Sequence, residues 1–119
     1  MPTQESRLQV TTEADVTQVR FLDRNILDEA SIHQIGEEIS QLIDQAPIPK
    51  LLLSFENVEH LSSAALGTLI MVNNKIRGKS GQLRLASIDP QIHEVFVITK
   101  LDQLFQIFDS VGEAVASFK

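Results

Sequence analysis

The chain has 119 residues, of which 43% are hydrophobic, enough for one compact domain with a core. It lacks cysteine, which excludes disulfides and thiolate metal sites, and its formal charge of −6 argues against direct nucleic-acid binding. MPTQESRLQV has neither the basic start nor the apolar stretch of a signal sequence, and no apolar run of about 18 residues occurs, so we expect a cytoplasmic protein without membrane insertion. Because the chain has no cysteine and its three histidines are well separated, we also expect no metal, and we expect no cofactor. We predict a short tail over residues 1–7 and a single domain over residues 8–119.

The first half of the chain alternates a strand pattern with a helix pattern. Residues 15–22 alternate between two faces, a period of two that predicts a half-buried strand. Isoleucine and leucine then recur at helical spacing over residues 32–43, which predicts the first helix. Its start lies either at Asp28 or at a capping box formed by Ser31 and Gln34, and its end lies before the next proline.

The centre of the chain predicts a buried strand followed by a second helix. Gly36, within the first helix, is less favourable than Ala by about 1 kcal/mol and therefore predicts close packing against a neighbour. The continuous apolar run Leu51–Phe55 is typical of a central parallel strand covered on both faces. A helical pattern over residues 63–77 follows, and we predict that Gly78 takes the left-handed position after it.

The last third repeats this alternation. Residues 82–87 predict a strand, and the Asp-Pro pair at 89–90 combines a helix cap with a proline at the first helical position. Residues 104–108 predict a last strand, after which Ser110 and Glu113 form a capping box for a fourth helix. The apolar face of the third helix is predicted to comprise Ile92, Val95, Phe96 and Thr99.

This order predicts an α/β fold, with a sheet of about five strands covered by about four helices. In such sheets, function gathers in the loops at the carboxyl ends of the central strands. The loop that follows Leu51–Phe55 reads FENVEHLSS, which brings Ser62 and Ser63 to this edge. Ser62 suits a helix cap, and Ser63 would then lie at the first helical position with its hydroxyl free and exposed.

The segment LLLSFENVEHLSSAALGTLI resembles the phosphorylation-site region of STAS domains, the mixed-sheet fold of bacterial anti-sigma factor antagonists. In that family an apolar strand and an acidic loop precede Asp-Ser-Ser/Thr-Gly-x-Gly at the start of a helix. Leu27-Asp28 and LDQLFQIFDS extend the resemblance over nearly the whole chain from about residue 8. On the family pattern Ser62 takes the Asp position, Ser63 the phosphorylated Ser, Ala64 the second hydroxyl residue, Ala65 the first Gly and Gly67 the last Gly.

The resemblance implies a cytoplasmic anti-sigma factor antagonist that regulates transcription and is not an enzyme. Its partner would be an anti-sigma factor that is also a serine kinase of the histidine-kinase-like ATPase fold. Phosphorylation at Ser63, with Ser62 as the weaker candidate, would switch the antagonist off, and a serine phosphatase would reset it. The partner-binding surface would comprise Asp28, His60, Leu61, Ser62, Ser63, Ala64 and Ala65.

Several alternatives stay open. Asp28 either contacts the partner or only caps the first helix, and His60 either tunes the site by titration or is an ordinary loop histidine. A non-switching STAS scaffold, of the stressosome or lipid-transporter kind, is favoured by Ser62 in place of Asp. A serine hydrolase is the remote alternative, because the chain lacks Gly-x-Ser-x-Gly and shows no acid to orient His60 towards Ser63. The sequence does not define the oligomeric state or the sigma factor.

Overall fold

The computed structural model describes residues 8–13 and 15–118, so the predicted tail over residues 1–7 lies outside the described residues. No helix in these two ranges is long and apolar enough to cross a membrane. In chain order the elements are β1 (Leu8–Glu13), β2 (Val16–Phe21), β3 (Asn25–Ile26), α1 (Glu29–Gln45), β4 (Lys50–Ser54), β5 (His60–Leu61), α2 (Ser63–Gly78), β6 (Gln82–Ala86), α3 (Pro90–Ile98), a short 3-10 helix (Leu101–Gln103), β7 (Gln106–Phe108) and α4 (Val111–Ala116).

Five strands form one mixed sheet in the order β1-β2-β4-β6-β7. β1 pairs with β2 in antiparallel orientation, and the other neighbours pair in parallel. The predicted α/β fold with a five-stranded sheet is therefore confirmed, and the apolar run at residues 51–55 provides its central strand, β4. The sequence pattern does not place β1, because five of its six residues are exposed and show no alternation of burial.

Helices cover both faces of the sheet. On one face, Leu51 and Leu53 pack in the main core cluster with the buried sides of α1, α2 and α3. On the other face, Leu52 packs with Ala114 and Phe118, the buried side chains from α4 and the residues that follow it. A strand that is buried on both sides reads as an unbroken apolar run, which is why β4 shows no alternation in the sequence.

Arg84 is a buried cation on the α4 side of the sheet. Its Nε donates to Ser117 Oγ at 2.9 Å, and its guanidinium lies 4.8 Å from the centre of the Phe118 ring. Burial lowers the pKa of Arg84, because the charged form is poorly solvated there. These contacts attach the end of α4 to β6.

Side-chain caps begin the helices where the sequence predicts them. The Asp28 carboxylate accepts from the Ser31 backbone N–H at 3.0 Å, so α1 begins after Asp28 and not at the alternative capping box. The Asp89 carboxylate accepts from Gln91 N–H at 2.9 Å, and the Ser110 hydroxyl accepts a backbone N–H in the first turn of α4. The local chemistry of these residues is sufficient to define the helix starts.

Gly36 lies where α1 crosses α2, which confirms the predicted close packing. A Cβ atom at this position would lie 3.2 Å from Thr68 Cγ2 and 3.9 Å from Met71 Cε. The absent side chain therefore lets the two helices approach each other over the sheet.

The predicted role of Gly78 is wrong. Gly78 is the last residue of α2, and the left-handed position is taken by Ser80, whose φ is 59°. The glycine that the turn requires is Gly81, which passes close to Pro49. A Cβ atom on Gly81 would collide with the Pro49 carbonyl oxygen and lie 2.7 Å from Pro49 Cγ. Close approach of the backbone, and not a positive φ, explains this glycine.

The predicted apolar face of α3 is only half right. Ile92 and Phe96 are buried, whereas Val95 and Thr99 are exposed. Thr99 follows the last helical residue and donates its hydroxyl to the Val95 carbonyl at 2.7 Å. The core therefore covers a stripe with i, i+4 spacing, which leaves apolar side chains of α3 in solvent.

The last strand is shorter than predicted. β7 begins at Gln106, two residues after the predicted start of the strand at residues 104–108. The 3-10 helix ends just before, and Phe105 turns into the core, where its ring centre lies 5.9 Å from that of Phe96. Residues 104 and 105 form a turn and not part of the strand, because the Phe105 side chain packs into the core at that point.

Candidate partner-binding site

The starts of α1 and α2 are held together at the carboxyl end of the sheet. β3 and β5 form a two-residue parallel ladder in which Ile26 lies opposite Leu61. The ladder is continued by Ser62, whose backbone N–H donates to the Ile26 carbonyl at 3.1 Å. α1 starts shortly after Ile26 and α2 shortly after Leu61, so this pairing brings the caps of both helices, Asp28 and Ser62, to one edge.

Ser62 is the cap of α2, as the sequence predicts. Its backbone is extended, with φ −85° and ψ 166°, and its Oγ accepts from Ala65 N–H at 3.3 Å. The Ser62 carbonyl accepts the next helical hydrogen bond, from Leu66 N–H at 3.2 Å. Ser62 is half-buried and fixed at both its N–H and its hydroxyl, so its side chain has a structural role.

Ser63 is the first residue of α2 and is exposed. Within the described part of the chain, its hydroxyl has no hydrogen-bond partner. The hydroxyl stands at a helix N-terminus, where the dipole and the free N–H groups favour a negative charge. This position combines accessibility with an environment that tolerates a phosphate.

The remaining predicted site residues differ in exposure. Asp28, His60 and Ala64 are exposed, and Leu61 is half-buried against the core. Ala65 is only 5% exposed and belongs to the core, so we leave it out of the proposed surface. Its methyl group packs in the main core cluster and therefore adds nothing to the exposed surface.

Leu27 lies beside the predicted site residues, and the sequence patterns do not single it out as functional. It lies between β3 and the Asp28 cap, and it is 54% exposed. Covering this exposed leucine in an interface would remove its apolar surface from water, which favours association. Its exposure could not be read from the sequence, because it depends on the short β3·β5 ladder.

A polar cleft of about 780 Å³ lies beside the site. It is formed by the loops that follow β2, β4 and β6, and His60 lines it together with Glu56 and Asp89. Arg24 and Glu59 pair across its rim at 3.2 Å. The cleft lining thus carries three carboxylates, those of Glu56, Glu59 and Asp89, and one arginine. This acidic balance favours basic groups on any molecule that enters the cleft.

The two serines do not have the environment of an activated nucleophile. Over residues 8–13 and 15–118, neither hydroxyl is hydrogen-bonded to a histidine or a carboxylate. A serine hydrolase requires a base in contact with its serine and a third group that orients the base. The arrangement at Ser62 and Ser63 is that of a helix start in which the cap is half-buried and the first residue is exposed to solvent.

Known proteins share this fold. The STAS domain family matches residues 8–114. BtrV from Bordetella bronchiseptica, provisionally described as an anti-sigma factor antagonist, is 26% identical over 96 residues, which cover 81% of this chain and 82% of BtrV. An anti-sigma-factor antagonist (STAS) domain protein from Planctomyces limnophilus superposes with a TM-score of 0.84 at 26% identity, covering 92% of this chain and 96% of that chain. The phosphorylated form of the Bacillus cell fate determinant SpoIIAA shares the fold, with a TM-score of 0.73 at 19% identity over 94% of this chain and 99% of that chain.

Proposed function

Because the chain belongs to the STAS domain family, we propose that it is an anti-sigma factor antagonist that is switched off by phosphorylation of Ser63. The observation that carries this proposal is the exposed Ser63 hydroxyl at the first position of α2, next to a serine that caps the helix. Relatives and structural neighbours described as anti-sigma factor antagonists support the same function.

The unmodified chain would bind an anti-sigma factor through the surface around the two helix starts. Asp28, Ser63 and Ala64 are the exposed residues of this surface at the caps, and Leu27 would contribute apolar area that the partner buries. His60 and the acidic cleft extend the surface towards β6. The partner would be a serine kinase of the histidine-kinase-like ATPase fold, and its capture would release a sigma factor for transcription in the cytoplasm.

Phosphorylation would transfer the γ-phosphoryl group of ATP to Ser63 Oγ, which releases ADP and the hydroxyl proton. The new group adds about −1.5 to −2 charges, which the N-terminus of α2 accommodates, so the domain stays folded. The interface with the kinase does not accommodate the new charge as the helix does. A kinase that phosphorylates Ser63 must hold the phosphates of its nucleotide opposite this hydroxyl. Phosphate then faces phosphate, and the complex is weakened. A serine phosphatase would hydrolyse the ester and restore the unmodified chain.

A non-switching scaffold or transporter-associated subunit is the second candidate. Ser62 favours it, because this residue replaces the acidic residue that precedes the phosphorylated serine in the family pattern. The replacement preserves the helix cap but removes a carboxylate beside Ser63. The two candidates differ in the partner that they require.

Capture from a lysate of the source cell, with the immobilised full chain as bait, separates these candidates. We expect a small ATPase of the histidine-kinase-like fold among the bound proteins, identified by mass spectrometry. Recovery of a membrane transporter or a large STAS assembly in its place would contradict the antagonist proposal.

An Asp28→Asn bait distinguishes the two possible roles of Asp28 in the same experiment. Asn caps helices as well as Asp does, so α1 should remain intact while the charge is removed. We expect the Asn variant to capture less ATPase, because Asp28 is exposed beside Ser63. Equal capture would show that Asp28 serves only as a cap.

A further inference from the structure

The α4 side of the sheet carries a polar groove that α4 does not cover. α4 packs over β4 and β6, and the groove lies beside it, over β1, β2 and the end of β4. Its volume is about 350 Å³, within the range of about 300–1,000 Å³ that is usual for small-molecule sites. Its polar side chains are those of Gln9, Thr11, Gln18, Arg20, Ser54 and Glu56.

The strand register places these side chains next to one another. Residues that lie opposite each other on paired strands point to the same face of the sheet. Gln9 lies opposite Arg20, and Arg20 lies opposite Ser54, so these three form one row across β1, β2 and β4. Thr11 and Gln18 form a second row beside it. Neutral hydrogen-bonding groups therefore flank the Arg20 guanidinium.

Ser54 is the buried end of the first row. It follows Leu52, which packs beneath α4, by two residues, so its side chain faces the same side of the sheet as the groove. The residue is only 6% exposed, and in the described part of the chain its Oγ has no hydrogen-bond partner. A buried hydroxyl without a partner destabilises a protein, and alanine would fit the position without this cost. A bound molecule that accepts a hydrogen bond from Ser54 would remove the cost.

Arg20 and Glu56 bring two opposite charges to the groove. Among residues 8–13 and 15–118, neither the guanidinium nor the carboxylate has an ion-pair or hydrogen-bond partner. A guanidinium beside hydroxyl and amide groups suits a carboxylate, and the Glu56 carboxylate suits an ammonium group. A molecule with a single charge would be attracted by one of these groups and repelled by the other.

We propose that this groove binds a free amino acid with a polar, uncharged side chain, in its zwitterionic form. Its carboxylate would accept from Arg20 and from the Ser54 hydroxyl, and its ammonium group would pair with Glu56. Its side chain would lie along the second row, where hydroxyl and amide groups are available. The groove shares Glu56 with the acidic cleft but contains none of the helix-start residues, so the inference does not rest on the proposed function.

NMR titration of the isotope-labelled full chain with L-glutamine and with L-serine tests the proposal. We expect shifts at residues of the groove that saturate with a Kd of about 1 mM or below for at least one of the two. N-acetyl-L-glutamine lacks the ammonium group and L-glutaminamide lacks the carboxylate. Each should bind at least about tenfold more weakly than L-glutamine, because each loses one of the two charge contacts.

Variants of the two charged residues test the assignment of the groove. Arg20→Gln and Glu56→Gln should each weaken binding by about tenfold or more. Arg77→Gln, the same change at an exposed arginine of α2, should leave binding unchanged. An Arg20→Gln chain that binds like the unmodified chain would overturn the proposal. So would the lack of any shift with both amino acids at about 20 mM, or shifts as large with both derivatives as with L-glutamine.

Ser54→Ala separates a binding role of the hydroxyl from a structural one. We expect weaker binding, while the thermal unfolding midpoint of the ligand-free chain stays equal or rises, because a buried hydroxyl without a partner is removed. A lower midpoint together with unchanged binding would contradict the proposed contact, since the hydroxyl would then serve the fold alone.

Discussion

The Ser63→Asp variant is expected to bind the anti-sigma factor at least about a hundredfold more weakly than the unmodified chain. The exposed Ser63 side chain belongs to the proposed surface, because the β3·β5 ladder brings the starts of α1 and α2 together, and His60, three residues before it, lines the polar cleft. A carboxylate there would be brought against the nucleotide phosphates of the kinase in a water-poor interface. An uncompensated like-charge contact of this kind costs several kcal/mol, and each 1.4 kcal/mol is about tenfold in affinity.

The loss should not arise from unfolding. Ser63 is exposed at the first position of α2, where an acidic side chain stabilises a helix by about 0.3–1 kcal/mol. The thermal unfolding midpoint of Ser63→Asp should therefore equal or slightly exceed that of the unmodified chain. Calorimetric titration of both proteins with the purified partner gives the change in affinity.

Two matched variants control for size and for net charge. Ser63→Asn has nearly the same shape as Ser63→Asp without the charge, and it should bind much more tightly than the Asp variant. Asn74→Asp adds the same charge at an exposed position eleven residues further along α2, and it should bind like the unmodified chain. Retention of affinity by Ser63→Asp to within about threefold, or an equal loss in Asn74→Asp, would contradict a switch at Ser63.

The Gly81→Ala variant is expected to lower the free energy of unfolding by about 2–3 kcal/mol. The new methyl group would collide with the Pro49 carbonyl oxygen and lie 3.0 Å from Ile76 Cγ2. That carbonyl also accepts from Gln82 N–H at 2.8 Å, at the start of the pairing between β4 and β6. Because the obstacle is backbone, relief of the collision must disturb the two central strands.

Urea unfolding of Gly81→Ala, compared with Gly78→Ala, measures this effect. Gly78 is an exposed helical residue with open space around its Cα, so alanine there should stabilise the chain by up to about 1 kcal/mol. The two alanine substitutions are thus expected to have opposite signs. A Gly81→Ala variant as stable as the unmodified chain would show that the turn adjusts without disturbing the sheet.

The core elements were predictable because their signals are local. The apolar run Leu51–Phe55 indicates a strand buried on both faces, and side chains such as Asp28 and Asp89 begin helices through hydrogen bonds within their own first turn. The position of Ser63 follows from the same logic, since a cap at Ser62 defines the first helical residue. The sequence therefore predicts both the sheet and the serine at its edge.

Features that depend on contacts distant in sequence were not predictable in this way. β1 has almost no buried residues, and the short ladder that joins Ile26 to Leu61 has too few residues for any periodicity. The exposure of Leu27 and the close approach of Gly81 to Pro49 depend on where remote segments meet. Tertiary packing decides these positions, so they become visible only in three dimensions.

The most direct test of the central claim is to locate the phosphate after reaction of the purified chain with the captured ATPase and ATP. Peptide mass spectrometry should find the phosphoryl group on Ser63, and a Ser63→Ala chain should bind the ATPase but remain unmodified. Phosphate on Ser62, or a chain that binds the ATPase and acquires no phosphate, would contradict the proposed switch.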